Sequence, residues 1–328
     1  MTLDAETSAF VSSALASRAA PTHELTPQQA RERSAALVDI LGPGPHLYAV
    51  REERIPRDDG TELALRVLLP SPAVRGVIGY LHGGGWVLGS LEEFDCLARN
   101  ISIRTGCAVV MVDYRLAPEN PYPAAVEDAA AALAWLGTHA EDIAGAAAPL
   151  LLFGDSAGAN LAIGAALGDS QGRGSPLRAL VLAYPITDCD FTTASYVDPD
   201  NQLLMGVETM RWFFGHYAPE SLWPRPDVSV LRARDVSTLP PSLILLAEHD
   251  PLRDEGQALA DRLRSAGVPV EDHVFQGQMH GFLGLINVLP GADDAVSVIV
   301  DYVERLLETP PHPEERPAPV TEPRTDVR

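Results

Sequence analysis

The chain has 328 residues, 46% of them hydrophobic, and its 45 acidic and 24 basic residues leave a formal net charge of −21. That size supports one large core, and the acid excess repels phosphate backbones and anionic lipid heads, which excludes nucleic-acid binding and stable membrane association from the expected roles. No apolar run approaches the ~18 residues that a membrane span needs, and Asp4 and Glu6 precede any basic residue, the reverse of a secretory signal, so a cytoplasmic protein is expected.

Along the chain, residues 1–45 have a helix-forming composition. Thr26-Pro27 followed by Gln28 and Gln29 has the form of a helix start, and Gly42-Pro43-Gly44-Pro45 ends the segment. Tyr48–Ile55 and Glu62–Leu69 are expected to pair as a hairpin around Asp59-Gly60. Gly76–Leu81, Ala108–Val112, Leu150–Phe153, Leu180–Tyr184 and Leu243–Ala247 are short apolar runs suited to strands buried on both faces of a mostly parallel sheet. Helix-like stretches separate them: Leu91–Arg104, Ala124–Leu136, Ala157–Leu167 and Glu255–Ser265. A last strand, Val270–Phe275, precedes an amphipathic helix near Ala292–Leu307. This alternation predicts an α/β architecture with right-handed crossovers.

Residues 188–240 break the rhythm. They show no strand pattern, but hold the helix-like run Leu203–Phe214 and then Pro219, Pro224 and Pro226. They are expected to form a cap insertion above the sheet, packed with residues 1–45, in a catalytic domain spanning residues 46–307. Residues 308–328, rich in Pro, Glu and Arg, lack a hydrophobic period and are expected to be disordered. Every basic residue is Arg, which fits a GC-rich genome or, alternatively, a salt-adapted surface. Cys96, Cys107 and Cys189 match no metal-ligand spacing and read as reduced and structural.

Three motifs carry chemistry. Gly154-Asp155-Ser156-Ala157-Gly158 lies between a strand and a helix, the context that gives G-x-S-x-G its meaning: a turn too tight for larger flanking residues exposes the Ser156 hydroxyl at a helix N-terminus. His82-Gly83-Gly84-Gly85-Trp86 follows another strand, and its glycines let backbone N–H groups converge. Gly83, Gly84, Gly85 and Ala157 are therefore the candidate oxyanion donors. No phosphate-loop pattern is present. His280, in Gln278-Met279-His280-Gly281-Phe282, is the candidate base, with His82 read instead as fixing its own loop. Asp250, in Glu248-His249-Asp250-Pro251-Leu252, is the candidate orienting acid, with Glu248, Asp254 and Asp188 as rivals. The chain order Ser, Asp, His is that of the α/β-hydrolase fold.

With these motifs the sequence resembles the bacterial hormone-sensitive-lipase-like esterases, family IV, in their GDSAG branch. Further marks of the resemblance are Asp113-Tyr114-Arg115-Leu116-Ala117-Pro118-Glu119, Pro121-Tyr122-Pro123-Ala124-Ala125, Asp250-Pro251-Leu252-Arg253-Asp254 and His280-Gly281-Phe282, within a match running from about residue 45 to 307. The resemblance implies an eight-stranded α/β-hydrolase sheet flanked by helices, with a helical cap, and hydrolysis of short- to medium-chain esters without a cofactor or metal. The expected partner is a small-molecule ester, and association as a homodimer stays open. Deacetylation of a specialised metabolite, or lyase or cyclase chemistry in the same pocket, are alternatives. A receptor without catalysis is disfavoured, because the plant hormone receptors that resemble this family change the position of His280. Trp86, Tyr184, Leu204, Met205, Trp212, Phe213 and Phe282 are the candidate pocket residues.

Overall fold

The computed structural model describes residues 2–17, 19–57, 59–145, 148–170 and 177–308. Its strands are β1 (Ala49–Pro56), β2 (Glu62–Leu69), β3 (Val77–Leu81), β4 (Ala108–Asp113), β5 (Leu150–Asp155), β6 (Leu177–Ala183), β7 (Ser242–His249) and β8 (Val270–Met279). They form one eight-stranded sheet in the order β1-β2-β4-β3-β5-β6-β7-β8. Only β2 runs against its neighbours. The helices are α1 (Ala5–Ala16), α2 (Pro27–Ala35), α3 (Leu37–Leu41), α4 (Leu91–Thr105), α5 (Ala124–Ala144), α6 (Ala157–Ser170), α7 (Ala194–Val197), α8 (Val207–Tyr217), α9 (Arg253–Ser265) and α10 (Pro290–Glu308).

The central strands are apolar throughout because both faces are covered. Leu150 and Leu152 of β5 point to a core shared with α5, α6 and α9, while Leu151 and Phe153 point to a second core shared with α4 and α10. β1, at the sheet edge, is largely exposed and contributes little to either core. The expected hairpin is present, with Ala49 opposite Leu69 and Pro56 opposite Glu62. The expectation for residues 308–328 lies outside the described residues, except that Glu308 ends α10.

Between β6 and β7 the described chain holds α7, α8 and short 3-10 turns, and no strand. The helix expected over Leu203–Phe214 begins only at Val207. Gly206 has an extended backbone there, and the Gln202 side chain accepts the Val207 N–H at 2.8 Å, so Leu203, Leu204 and Met205 precede the helix as a loop. Asn160 of α6 donates to the carbonyls of Ile186 (3.0 Å) and Val228 (2.8 Å), fastening this stretch to α6.

Candidate active site

Four segments converge at the carboxyl edge of the sheet, where open α/β folds bind ligands. They follow β3, β5, β7 and β8 directly. Ser156 sits in the turn between β5 and α6 with φ 53°, a left-handed conformation that costs a non-glycine residue of order 1 kcal/mol or more. The glycines around it are required by space. A Cβ on Gly154 would lie 2.4 Å from the Gly158 carbonyl oxygen, and one on Gly158 would lie 1.9 Å from that of Leu81.

Ser156 Oγ stands 3.1 Å from His280 Nε2, and His280 Nδ1 stands 2.8 Å from Asp250 Oδ2. A carboxylate only accepts, so Nδ1 carries the proton and Nε2 is left to accept from the serine hydroxyl. Asp250 is fully buried and its other oxygen accepts the Leu252 N–H at 2.8 Å. The rival acids are engaged elsewhere: Glu248 accepts from the Gly277 N–H, Asp254 from the Ser195 N–H, and Asp188 pairs with Arg232.

The glycine turn divides its amides. Gly83 N–H is taken by Asp155 Oδ1 at 2.9 Å, an oxygen that also accepts from Tyr80 Oη at 2.9 Å. Gly83 is thus not available as an oxyanion donor, contrary to expectation. No described acceptor takes the Gly84 or Gly85 amide, and both residues line the cavity at Ser156. Ala157 opens α6, among the N–H groups without an intrahelical acceptor. Burial pushes the Asp155 carboxyl up to about 6. His82 is stacked between Phe94 and Tyr114 and donates from Nδ1 to the Gly83 carbonyl at 2.7 Å; burial pulls it down to about 4. It is held as a neutral brace, away from Ser156.

The cavity over Ser156 and His280 measures about 290 Å³. Its apolar wall includes Leu88, Phe94, Leu204, Met205, Phe213 and Leu285, and residues 1–45 contribute Thr22, Ser34, Leu37 and Leu41. A larger hollow of about 680 Å³, beside Arg225, Asp227 and Arg234, contains none of the motif residues.

Comparison with known proteins adds a family. A model of the alpha/beta hydrolase fold matches residues 78–284. The chain belongs to the α/β-hydrolase family. It is 39% identical over 265 residues to carboxylesterase NlhH of Mycobacterium tuberculosis, covering 78% of this chain and 82% of that one. It is 34% identical to an ethyl acetate hydrolase of Pseudomonas putida, covering 94% of this chain and 100% of the relative. The hyperthermophilic esterase from the archaeon Pyrobaculum calidifontis superposes with a TM-score of 0.86 at 31% identity, covering 93% and 99% of the two chains.

In this α/β hydrolase, four of the seven expected pocket residues line the cavity: Tyr184, Leu204, Met205 and Phe213. Three do not. Trp86 adopts φ 61°, turning its indole under the loop to stack on Tyr217 with ring centroids 4.3 Å apart, fully buried. Phe282 packs behind Tyr184 and against Phe275. Trp212 precedes Phe213 by one residue, about 100° around α8 from it, and lies against His216 instead.

Sequence reasoning also missed polar ties from the N-terminal segment. Asp4 and Thr7 bond the Gln278 side chain, two residues before His280. His23 Nδ1 lies 3.4 Å from Thr209 Oγ1 on the cavity wall, Ser34 bonds Glu93, and Arg31 reaches the glycine turn. The capping signal at Thr26 and Gln29 located α2, but nothing local marks what its side chains touch.

Proposed function

We propose that the protein hydrolyses short- to medium-chain carboxylic esters through an acyl-enzyme on Ser156. The observation that carries this reading is the aligned relay from Ser156 Oγ to His280 Nε2 (3.1 Å) and from His280 Nδ1 to Asp250 Oδ2 (2.8 Å). The similarity to a named carboxylesterase and an ethyl acetate hydrolase supports the same chemistry.

In this reading His280 takes the Ser156 proton as Oγ attacks the ester carbonyl. The amides of Gly84, Gly85 and Ala157 stabilise the oxyanion that forms. His280 passes its proton to the departing alcohol. A water, deprotonated by His280, then attacks the acyl-enzyme; the acid leaves and Ser156 regains its proton. Asp250 holds the imidazole tautomer and stabilises its cation. A cytoplasmic setting fits the three unpaired cysteines, Cys96, Cys107 and Cys189. No helix among the described residues is long and apolar enough to cross a membrane.

The test is Ser156→Ala on p-nitrophenyl butyrate. Loss of a catalytic serine of this kind lowers kcat by about 10⁶-fold, so the folded variant should fall to background. Wild-type turnover by that variant would remove Ser156 from the mechanism.

A further inference from the structure

We propose that Arg31, on α2 outside the segment matched by the family model, is a positioning residue for the oxyanion turn. The proposal rests on the ester-hydrolase reading and adds to it a residue that sets the geometry of the Gly84 and Gly85 amides.

The turn needs an outside hold. Gly84, Gly85 and Trp86 have φ of 107°, 60° and 61°, three successive left-handed residues, and Trp86 bears a Cβ that disfavours this conformation. The turn's own bonds, Val87 N–H and Leu88 N–H to the Gly84 carbonyl at 3.1 and 2.8 Å, close it from within. From outside, Arg31 Nε donates to the Val87 carbonyl at 2.7 Å. Arg31 Nη2 donates to the Ala117 carbonyl, also at 2.7 Å, and the Ala117 N–H in turn donates to the Trp86 carbonyl at 2.9 Å. One guanidinium thereby links the carbonyls of Trp86 and Val87, the two residues after Gly85, into a closed ring with the loop after β4. Glu119 fixes the guanidinium by a bidentate pair at 2.9 and 2.6 Å. Arg31 meets three acceptor groups at once, the Val87 and Ala117 carbonyls and the Glu119 carboxylate, which the multi-donor arginine fork can serve and a lysine ammonium cannot span.

The consequence is catalytic as well as structural. An oxyanion donor acts only if its N–H is aimed before the charge develops, and the Gly85 amide lies one residue from the clamped units. Loosening the turn weakens binding of the tetrahedral state more than binding of the ester. Cap closure makes the opposite prediction, a change in KM.

The experiment compares wild type, Arg31→Met, Arg31→Lys and Glu119→Gln on p-nitrophenyl butyrate, with affinities for an alkyl trifluoromethyl ketone, which forms a tetrahedral adduct on Ser156. Deleting an oxyanion donor outright costs about 10²–10³ in kcat, so loosening two should cost roughly ten- to a hundred-fold in Arg31→Met, with KM within about three-fold. Ketone affinity should fall in parallel with kcat/KM. Arg31→Lys, which keeps charge and stem should Arg31→Met not fold, should lose a similar factor. Glu119→Gln, which keeps both carbonyl contacts, should lose less. Unchanged kcat in folded Arg31→Lys, a rise confined to KM, or unaltered ketone affinity would overturn the proposal while leaving the ester-hydrolase reading in place. A wild type that neither turns over the ester nor forms the ketone adduct would overturn both.

Discussion

Asp155, the residue before the nucleophile, accepts the Gly83 N–H at 2.9 Å and so joins the serine turn to the glycine turn through one carboxylate oxygen. A Cβ on Gly83 would lie 2.3 Å from the other oxygen, so the first glycine of the run is there for close approach. The glycine amides left without a described acceptor are those of Gly84 and Gly85, both of which line the cavity at Ser156.

Asp155→Asn tests this link and its electrostatics together. Both donors, Gly83 N–H and Tyr80 Oη–H, fall on Oδ1, so an amide oxygen can keep both bonds. Burial raises the carboxyl from 3.8 to about 6, so the folded state holds the proton more tightly than the unfolded chain. The stability Asp155 contributes is complete below pH 3.8 and is lost as pH rises through 6. The variant should therefore gain relative to wild type by about 2 kcal/mol between pH 4.5 and 7.5. Urea unfolding at the two pH values measures it, and a pH-independent difference would contradict the assignment.

Asp250→Asn should lower kcat by about 10⁴-fold, as when the orienting acid of a triad is neutralised. Asp188→Asn removes an ion pair with Arg232 at the surface and should leave kcat near wild type. A larger loss from the Asp188 variant, with both proteins folded, would move the acid to the segment after β6.

The acyl-chain optimum should be short. A cavity of about 290 Å³ is at the small end for ligand sites, and each added methylene gains about 0.8 kcal/mol only while it finds room. Rates on p-nitrophenyl esters from acetate to palmitate should peak near butyrate or hexanoate. A maximum at twelve carbons or beyond would point to a lipase.

Deleting the residues before Gly42 removes the walls supplied by Thr22, Ser34, Leu37 and Leu41 and also removes Arg31. KM for butyrate and hexanoate esters should rise several-fold and kcat should fall, with the triad still able to form. A lowered melting temperature with both constants unchanged would show that the segment only packs on the outside.

Much of this architecture was legible in the sequence because local patterns encode it. Continuous apolar runs such as Leu150–Phe153, too short for a helix and bounded by turn residues, suit strands covered on both faces, the Asp59-Gly60 turn sets the β1–β2 register, and glycines at 154 and 158 announce the tight serine turn. The order of Ser156, Asp250 and His280, each just past a strand, sufficed to nominate the triad that the fold brings into contact.

What the tertiary structure alone decided involves partners far apart in the chain. Which glycine amide is occupied depends on Asp155, 72 residues from Gly83. The burial of Trp86 depends on a left-handed backbone and on Tyr217, and the hold on the turn depends on Arg31, 56 residues from Val87. The start of α8 at Val207, in place of Leu203, turned on a single side-chain acceptor. Periodicity reports which face of an element is apolar, and capping signals report where a helix begins. Neither carries information about which distant carbonyl a guanidinium meets, since that is set by how the sheet stacks its loops at one edge.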